Sequence, residues 1–497
     1  MMKGTGNMKK RTLCALTLLL ALLAPLTLFS CSAEEKTVSS AGGNPAKTDT
    51  DGGTASDHSA ETDWPAPDYS DFTLPEETGE LVVYVMDDAW DESKAPRRLP
   101  DAALSLFREK YPDVAVDVQV MGQDEFEARI RAEIPAGKGP DLLYDYGGTL
   151  IPDIYKAMAA GSFLDLGGYM EADPEFDRED CVEGVLDGGL FQGRQFVVPV
   201  AYEMPILITT REILDEEGIR AEELDTWEGF YAALTRYCEK HPESFAMVET
   251  KTLDPNDMNL RYFWKHSGIR MVDYENYTAD LDEENLKIML DFCREIYRED
   301  YEQWDVGWSD YTCERALLQR DCLFNNHIEN VGLLFYNTLI QLREAGETPV
   351  VRMMPDTEGG IHAHIVSYCA VPSGAKNTLN AWRFLKLMLS DIEGDVTYIE
   401  SWGLQIPISN TPLGVPVNKA ALRQKIVSEY ERYFGPMDDD TANRYYDDMI
   451  SATRADMIPE ILTRYFALEM TPYIRGERSW EDCYKRFLST LELYASE

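Results

Sequence analysis

Residues 81–86 read LVVYVM, residues 114–120 read VAVDVQV and residues 141–144 read DLLY. The first is a short apolar run of strand length. The second alternates Val114, Val116, Val118 and Val120 with Asp117 and Gln119, the period of a strand with one buried face. Between them, residues 101–110 set Leu104 and Phe107 on one side of a predicted helix. Between the second and third, Phe126, Ile130 and Ile134 recur every four residues, which predicts another helix. A strand-helix-strand-helix-strand series with right-handed crossovers predicts an α/β fold whose open sheet is mainly parallel and flanked by helices. In such sheets ligands sit beyond the carboxyl ends of the strands.

Working towards the carboxyl terminus, residues 196–199 and 206–210 read as strand. Trp227, Phe230, Tyr231, Leu234, Tyr237 and Cys238 share one face of a helix that Thr226 is placed to cap. Leu286, Met289, Leu290, Cys293, Ile296 and Tyr297 do the same in a second helix. Residues 361–371 predict a strand, 378–389 a helix, and a helical block begins near Tyr445. No internal repeat is present.

Working towards the amino terminus, Lys9, Lys10 and Arg11 precede an apolar run from Leu13 to Phe29, broken by Thr17, Pro25 and Thr27. Its length and basic front predict a secretory signal over 1–30. Leu28-Phe29-Ser30-Cys31 resembles a bacterial lipobox, which implies lipid on Cys31. Residues 32–75 are rich in Ser, Gly, Thr, Asp, Glu and Ala and carry no apolar periodicity. They predict a flexible tether spanning about 35–40 Å, set at 31–76 with the lipidated Cys. The expected address is the outer face of the cell membrane in a Gram-positive bacterium.

The chain carries 46 Lys and Arg against 89 Asp and Glu, a formal charge of −43. Removing the signal takes away four positive residues and no acidic ones, giving −47. That charge is repelled by nucleic acid and anionic lipid, so neither is an expected partner. Of nine cysteines, Cys14 leaves with the signal and Cys31 is assigned to lipid. The other seven show no C-x-x-C spacing, so no redox or zinc motif is present and no cofactor is expected. Cys238 and Cys293 read as small core residues.

Seven stretches in order resemble the extracellular solute-binding proteins of sugar-type ABC importers, the group that includes maltodextrin-binding proteins. They are Phe107-Arg108-Glu109-Lys110-Tyr111-Pro112 before the valine-rich strand; Ala136-Gly137-Lys138-Gly139-Pro140-Asp141-Leu142-Leu143; Gly161-Ser162-Phe163-Leu164-Asp165-Leu166; Phe191-Gln192-Gly193-Arg194-Gln195-Phe196-Val197-Val198-Pro199; Thr226-Trp227-Glu228-Gly229-Phe230; Ala381-Trp382-Arg383-Phe384-Leu385-Lys386; and Gly476-Glu477-Arg478-Ser479-Trp480-Glu481-Asp482. Thr209-Thr210 and Arg320-Asp321-Cys322-Leu323 depart from the family pattern, as in a divergent member. The resemblance implies a two-lobed, type II periplasmic-binding fold. Lobe 1 would span 77–200 with a return near 361–405. Lobe 2 would span 201–360 with helices from 406–497. It also implies a monomer that closes on a small ligand and docks on permease subunits, without catalysis.

Sugars are recognised by aromatic faces and by carboxylates and amides. At strand ends and crossings the candidates are Asp87, Asp88 and Trp90; Asp145 and Tyr146; Tyr202 and Glu203; Trp264; Asn326 and His327; and Trp308 and Trp402. Glu203 is the firmest transfer, since maltodextrin-binding proteins carry a sugar-contacting Glu after this strand. Three other readings compete. A secreted glycosidase would need paired carboxylates, which 89 acidic residues supply everywhere. A metal site has one foothold in His362-Ala363-His364, two imidazoles on one face of a strand, and a weaker one in Tyr445-Tyr446. An adhesin or sensor input would use the same body.

Overall fold

The computed structural model describes residues 64–76, 79–86, 98–146, 151, 153–247, 263–296, 313–329, 333–392, 397–401, 404–408, 414–434 and 439–496. From Ala66 onward the chain is one unit, and that unit is described below.

Three strands read from the sequence open the sheet. Glu80–Met86 lies between Ala115–Met121 and Leu142–Tyr146, and both pairings are parallel. The helices Arg98–Lys110 and Gln123–Glu133 connect them. Leu81, Val83, Leu142 and Leu143 are fully buried. Each such side chain contributes about 1.5–3 kcal/mol, which is why these runs are apolar rather than alternating. The motif residue Asp141 holds this corner. Its carboxylate accepts from Val82 N at 2.8 Å, Lys376 N at 3.1 Å, Asn377 N at 3.0 Å and Asn377 Nδ2 at 2.8 Å. It thereby ties the first strand to the entry of helix Thr378–Leu389.

The next neighbour is His362–Ala370, antiparallel to Leu142–Tyr146. Beyond it runs Val197–Thr210, a single strand of 14 residues, also antiparallel. The expected series is therefore parallel at one edge and antiparallel around the two central strands. The reason is the return segment: His362–Ala370 enters more than 200 residues after the strand it pairs with, so no βαβ crossover sets its direction.

Val197–Thr210 organises everything else. Its first half pairs with His362–Ala370 and with Val415–Pro416. Its second half pairs with Cys322–Glu329 and Pro349–Met353, and Phe245–Met247 extends that side. One strand thus belongs to two half-sheets. Its first half is irregular. Val200 and Val366 drop out of the ladder, next to Pro199, which has no N–H to give. Both half-sheets are flanked by helices. Phe107 packs on Phe384 beside the first, at 5.6 Å between ring centroids. Tyr231 packs on Phe292 beside the second, at 5.6 Å. The expected Thr226 cap is present, its hydroxyl accepting from Gly229 N at 3.2 Å.

Among the described residues no helix is long and apolar enough to cross a membrane. Cys181, Cys293, Cys369 and Cys483 are buried thiols rather than disulfides. Within the stretch expected to be tether, Tyr69 donates its hydroxyl to Asp165 and Phe72 packs on Tyr169.

Candidate functional site

Along Val197–Thr210 every residue is buried except Glu203, which is part-exposed. Glu203 is also the last residue paired with the first half-sheet; Met204 begins the pairing with Cys322–Glu329. The one charged and part-exposed position in the strand therefore falls where the strand changes sheets. Two further segments cross at this level. Residues 354–361 join Pro349–Met353 to His362–Ala370, and residues 450–453 lead from helix Asp439–Met449 into strand Arg454–Asp456. The latter pairs in parallel with His362, Ala363 and His364.

The crossings bring together a seam of polar groups. His364 lies opposite Glu203 in register and opposite Asp456 on its other side. His362 Nε2 is 3.1 Å from Asp456 Oδ1, and His266 Nδ1 is 2.9 Å from the His362 carbonyl, to which it donates. Asp356, whose side chain is completely buried, accepts from Glu358 N at 2.9 Å and Gly360 N at 2.8 Å, and pairs with Arg454 Nη2 at 2.5 Å. Arg454 also pairs with Glu358. Gly268 is the close neighbour: a Cβ there would sit 3.4 Å from both Asp356 Cβ and His362 Nδ1.

Burial sets the ionisation of this seam. It lowers His266 to about 3, with the His362 carbonyl opposing. It holds His364 well below the usual imidazole range, helped by the charge of Lys265. Both rings are therefore neutral at physiological pH, and neither ring nitrogen of His364 has a side-chain hydrogen-bond partner. Burial foremost, then the Asp456 charge, raises Tyr155. Tyr155 stacks on Tyr274 at 4.9 Å, and its hydroxyl accepts from Met457 N at 3.0 Å.

The candidates from the sequence fall into three groups. Glu203 lies mid-strand where Val197–Thr210 changes partners, and Asp145 lies one residue before the end of Leu142–Tyr146. Asp145 is fully buried, accepts from Ile151 N at 3.3 Å, and lies opposite Tyr368 in register. Tyr202 and Trp264 are packing residues in this structure. Tyr202 is buried with its hydroxyl donating to Met449 O at 2.7 Å, and Trp264 stacks on Phe466 at 4.7 Å. Their neighbours explain this: alternate residues of a strand point to opposite faces, so Tyr202 and Glu203 cannot both face one cleft. Of Tyr146, Asn326 and His327 only the backbone is described, in Leu142–Tyr146 and Cys322–Glu329. Asp87, Asp88, Trp90, Trp308, Trp402 and Cys31 lie outside the described residues.

Sequence reasoning missed His266, Asp356, Arg454 and Asp456. A signal existed only for the His362-Ala363-His364 pair. His266 and Asp456 join it from about 96 and 94 residues away in sequence. Among the described residues no group of three or more His, Cys, Asp or Glu is arranged to hold a metal ion. Tyr445 and Tyr446 are buried in their helix, with Arg423 over the Tyr446 ring at 3.6 Å.

Comparison with known proteins agrees with this geometry. Residues 102–425 match the family model described as bacterial extracellular solute-binding protein. The chain belongs to that family. Members of the family are carriers rather than catalysts. No curated protein matches the sequence significantly. Among solved structures, an extracellular solute-binding protein family 1 from Alicyclobacillus acidocaldarius superposes with a TM-score of 0.54 at 14% identity, covering 85% of this chain and 100% of that one. The sugar-binding protein MalE from Xanthomonas citri gives a TM-score of 0.54 at 13% identity, covering 84% and 97%. At these identities the likeness concerns the fold: α/β, with mixed sheets flanked by helices, of the type II periplasmic-binding kind.

Proposed function

We propose that this chain is a lipid-anchored binding protein that captures a small polyhydroxylated solute, a mono- or oligosaccharide, and delivers it to the permease of an ABC importer. One observation carries the reading. The single part-exposed residue of the 14-residue strand is a carboxylate, and it stands where three chain segments cross between half-sheets. A carboxylate on a rigid strand at a crossing accepts hydrogen bonds from sugar hydroxyls without repositioning, and closure of one half on the other desolvates it. Neutral His364 and Asp456 across it give donors and acceptors, and the carboxylates of Glu203, Asp356, Glu358 and Asp456 outnumber the Lys265 and Arg454 charges at the seam. The site therefore disfavours phosphorylated and acidic sugars.

The remaining parts of the proposal come from the amino-terminal sequence and the family. Cys31 would carry lipid, residues 32 onward would hold the body off the outer face of the membrane, and the closed monomer would dock on permease subunits. The candidates outside the described residues, Asp87, Asp88 and Trp90 above all, directly follow the first strand and are proposed to complete the ligand shell.

The test is a thermal-shift and calorimetric screen of neutral, acidic and amino sugars, with amino acids and metal ions as controls. A ligand that binds only the native state raises the melting temperature in proportion to ln(1 + [L]/Kd). The expected result is saturable stabilisation by a neutral or amino sugar. In Glu203→Ala the affinity is expected to fall about 10–100-fold, the loss of one charge-assisted hydrogen bond pair. Stabilisation by amino acids or metals alone would overturn the sugar assignment.

A further inference from the structure

The segment just before the first strand is seated on the body in a way that its composition does not announce. Tyr69 donates its hydroxyl to Asp165 Oδ2 at 2.6 Å. The same carboxylate is held by Arg194 at 3.0 Å and, through its other oxygen, by Gly167 N at 2.9 Å and Gln195 N at 3.2 Å. The Phe72 ring lies 5.0 Å from that of Tyr169. A turn joins the two aromatic residues: Phe72 N donates to Tyr69 O at 2.9 Å, and Ser70 N to Asp68 Oδ1 at 3.0 Å. Pro67 lies against Gly193, within 3.6 Å of where a Cβ would be.

The surface beneath is shaped to receive these rings. Gly167 and Gly168 open the helix Gly167–Ala172, and neither has a positive φ that would demand glycine. What they have is contact. A Cβ on Gly168 would meet the Phe72 ring at 2.7 Å, and a Cβ on Gly167 would run into the Tyr69 ring. Glycine is unfavourable in a helix relative to alanine. Two in succession, each under one aromatic ring, are explained by the rings.

We propose that residues 66–75 are an intramolecular strap, docked by Tyr69 and Phe72 on the Gly167-Gly168 platform. The strap makes the half of the body bearing Glu80–Met86 the fixed half, and it sets the point from which the tether departs. Its use in orienting the body rests on the lipid-anchor reading; the docking itself does not. The tether read from the sequence then shortens to residues 32–63, with a reach of about 30 Å. Closure would move the half-sheet of Cys322–Glu329 relative to the membrane, while the strapped half stays put.

Hydrogen exchange on the full chain tests the docking. The peptide covering 66–76 is expected to exchange at least about tenfold more slowly than the same peptide in isolation, as local structure requires. Gly168→Ala and, separately, Phe72→Ser are expected to abolish that protection and leave the peptide covering 79–86 protected. Phe72→Ser removes the ring without altering the body, so a folding failure of one variant leaves the other to decide. Free-peptide exchange in the wild type, or retained protection in a folded Gly168→Ala variant, would overturn the strap. Membrane fractionation of Cys31→Ser reports the anchor independently. Failure there with 66–76 still protected removes the lipid and keeps the strap.

Discussion

The deepest consequence of the polar seam is acid sensitivity carried by a neutral histidine. His266 is wholly buried, and burial lowers it from 6.5 to about 3. In the unfolded chain it takes a proton near pH 6.5; in the fold it does not. The unfolded state therefore binds more protons throughout that interval, and stability falls as the pH drops from 6.5 towards 3. At pH 4.5 the deficit spans two pH units, on the order of 3 kcal/mol relative to neutral pH. His266→Gln keeps a donor for the His362 carbonyl and removes the titration. The measurement is urea unfolding of both proteins at pH 7.5 and pH 4.5, compared as the change in unfolding free energy between the two conditions. The wild type is expected to lose on the order of 3 kcal/mol more than the variant over that interval. Carboxylates titrating in the same range affect both proteins alike and cancel. Equal pH dependence in the two would refute the claim that His266 is held neutral by the fold.

Other expectations follow from single contacts. Asp141→Ala removes an acceptor of four hydrogen bonds and leaves part-buried donors from two elements to find water; chemical denaturation should show a loss of about 2–4 kcal/mol. The thiols of Cys293 and Cys369 are fully enclosed and burial raises both, so a thiol reagent at pH 8 should leave them unmodified in the native chain and label them in denaturant. Asp448 behaves oppositely to His266: burial and Asp447 raise it to about 6, so its protonated form favours the fold and its contribution is lost as pH rises from 3.8 through 6. Asp448→Asn should flatten that part of the stability profile, read by the same unfolding assay.

How far the sequence could be read depends on the range of the interactions involved. The strands at 81–86 and 141–144 were legible because burial leaves an uninterrupted apolar run, and the strand at 114–120 because its valines alternate with polar residues. The Thr226 cap was legible because it acts within three residues. The joining of 196–199 and 206–210 into one strand was legible, because the apolar run continues from one to the other, and the structure carries it past Pro199, Glu203 and Pro205 with a ladder irregularity and a change of partner. The seam was not legible. His266, Asp356 and Asp456 each lie far in sequence from what they touch, and none has a local pattern. The family motifs carried two carboxylates whose work is structural. Asp141 fastens a helix entry and Asp165 a hairpin and the strap. The strap left a trace in Tyr69 and Phe72, aromatic residues three apart inside an otherwise polar stretch.

The seam also explains why the crossing level is polar at all. A strand buried over 13 of its 14 positions would be most stable with an apolar residue at the fourteenth. A carboxylate there costs desolvation unless water or a ligand reaches it. His364, opposite it in register, is likewise a polar group, fully enclosed and kept neutral by burial. On the binding-protein reading proposed above, a junction that opens to water and closes on a polar solute keeps such groups hydrogen-bonded in both states. On that reading a polar crossing disfavours closure on nothing and makes closure depend on the ligand, which is the discrimination that a carrier needs before it meets its permease.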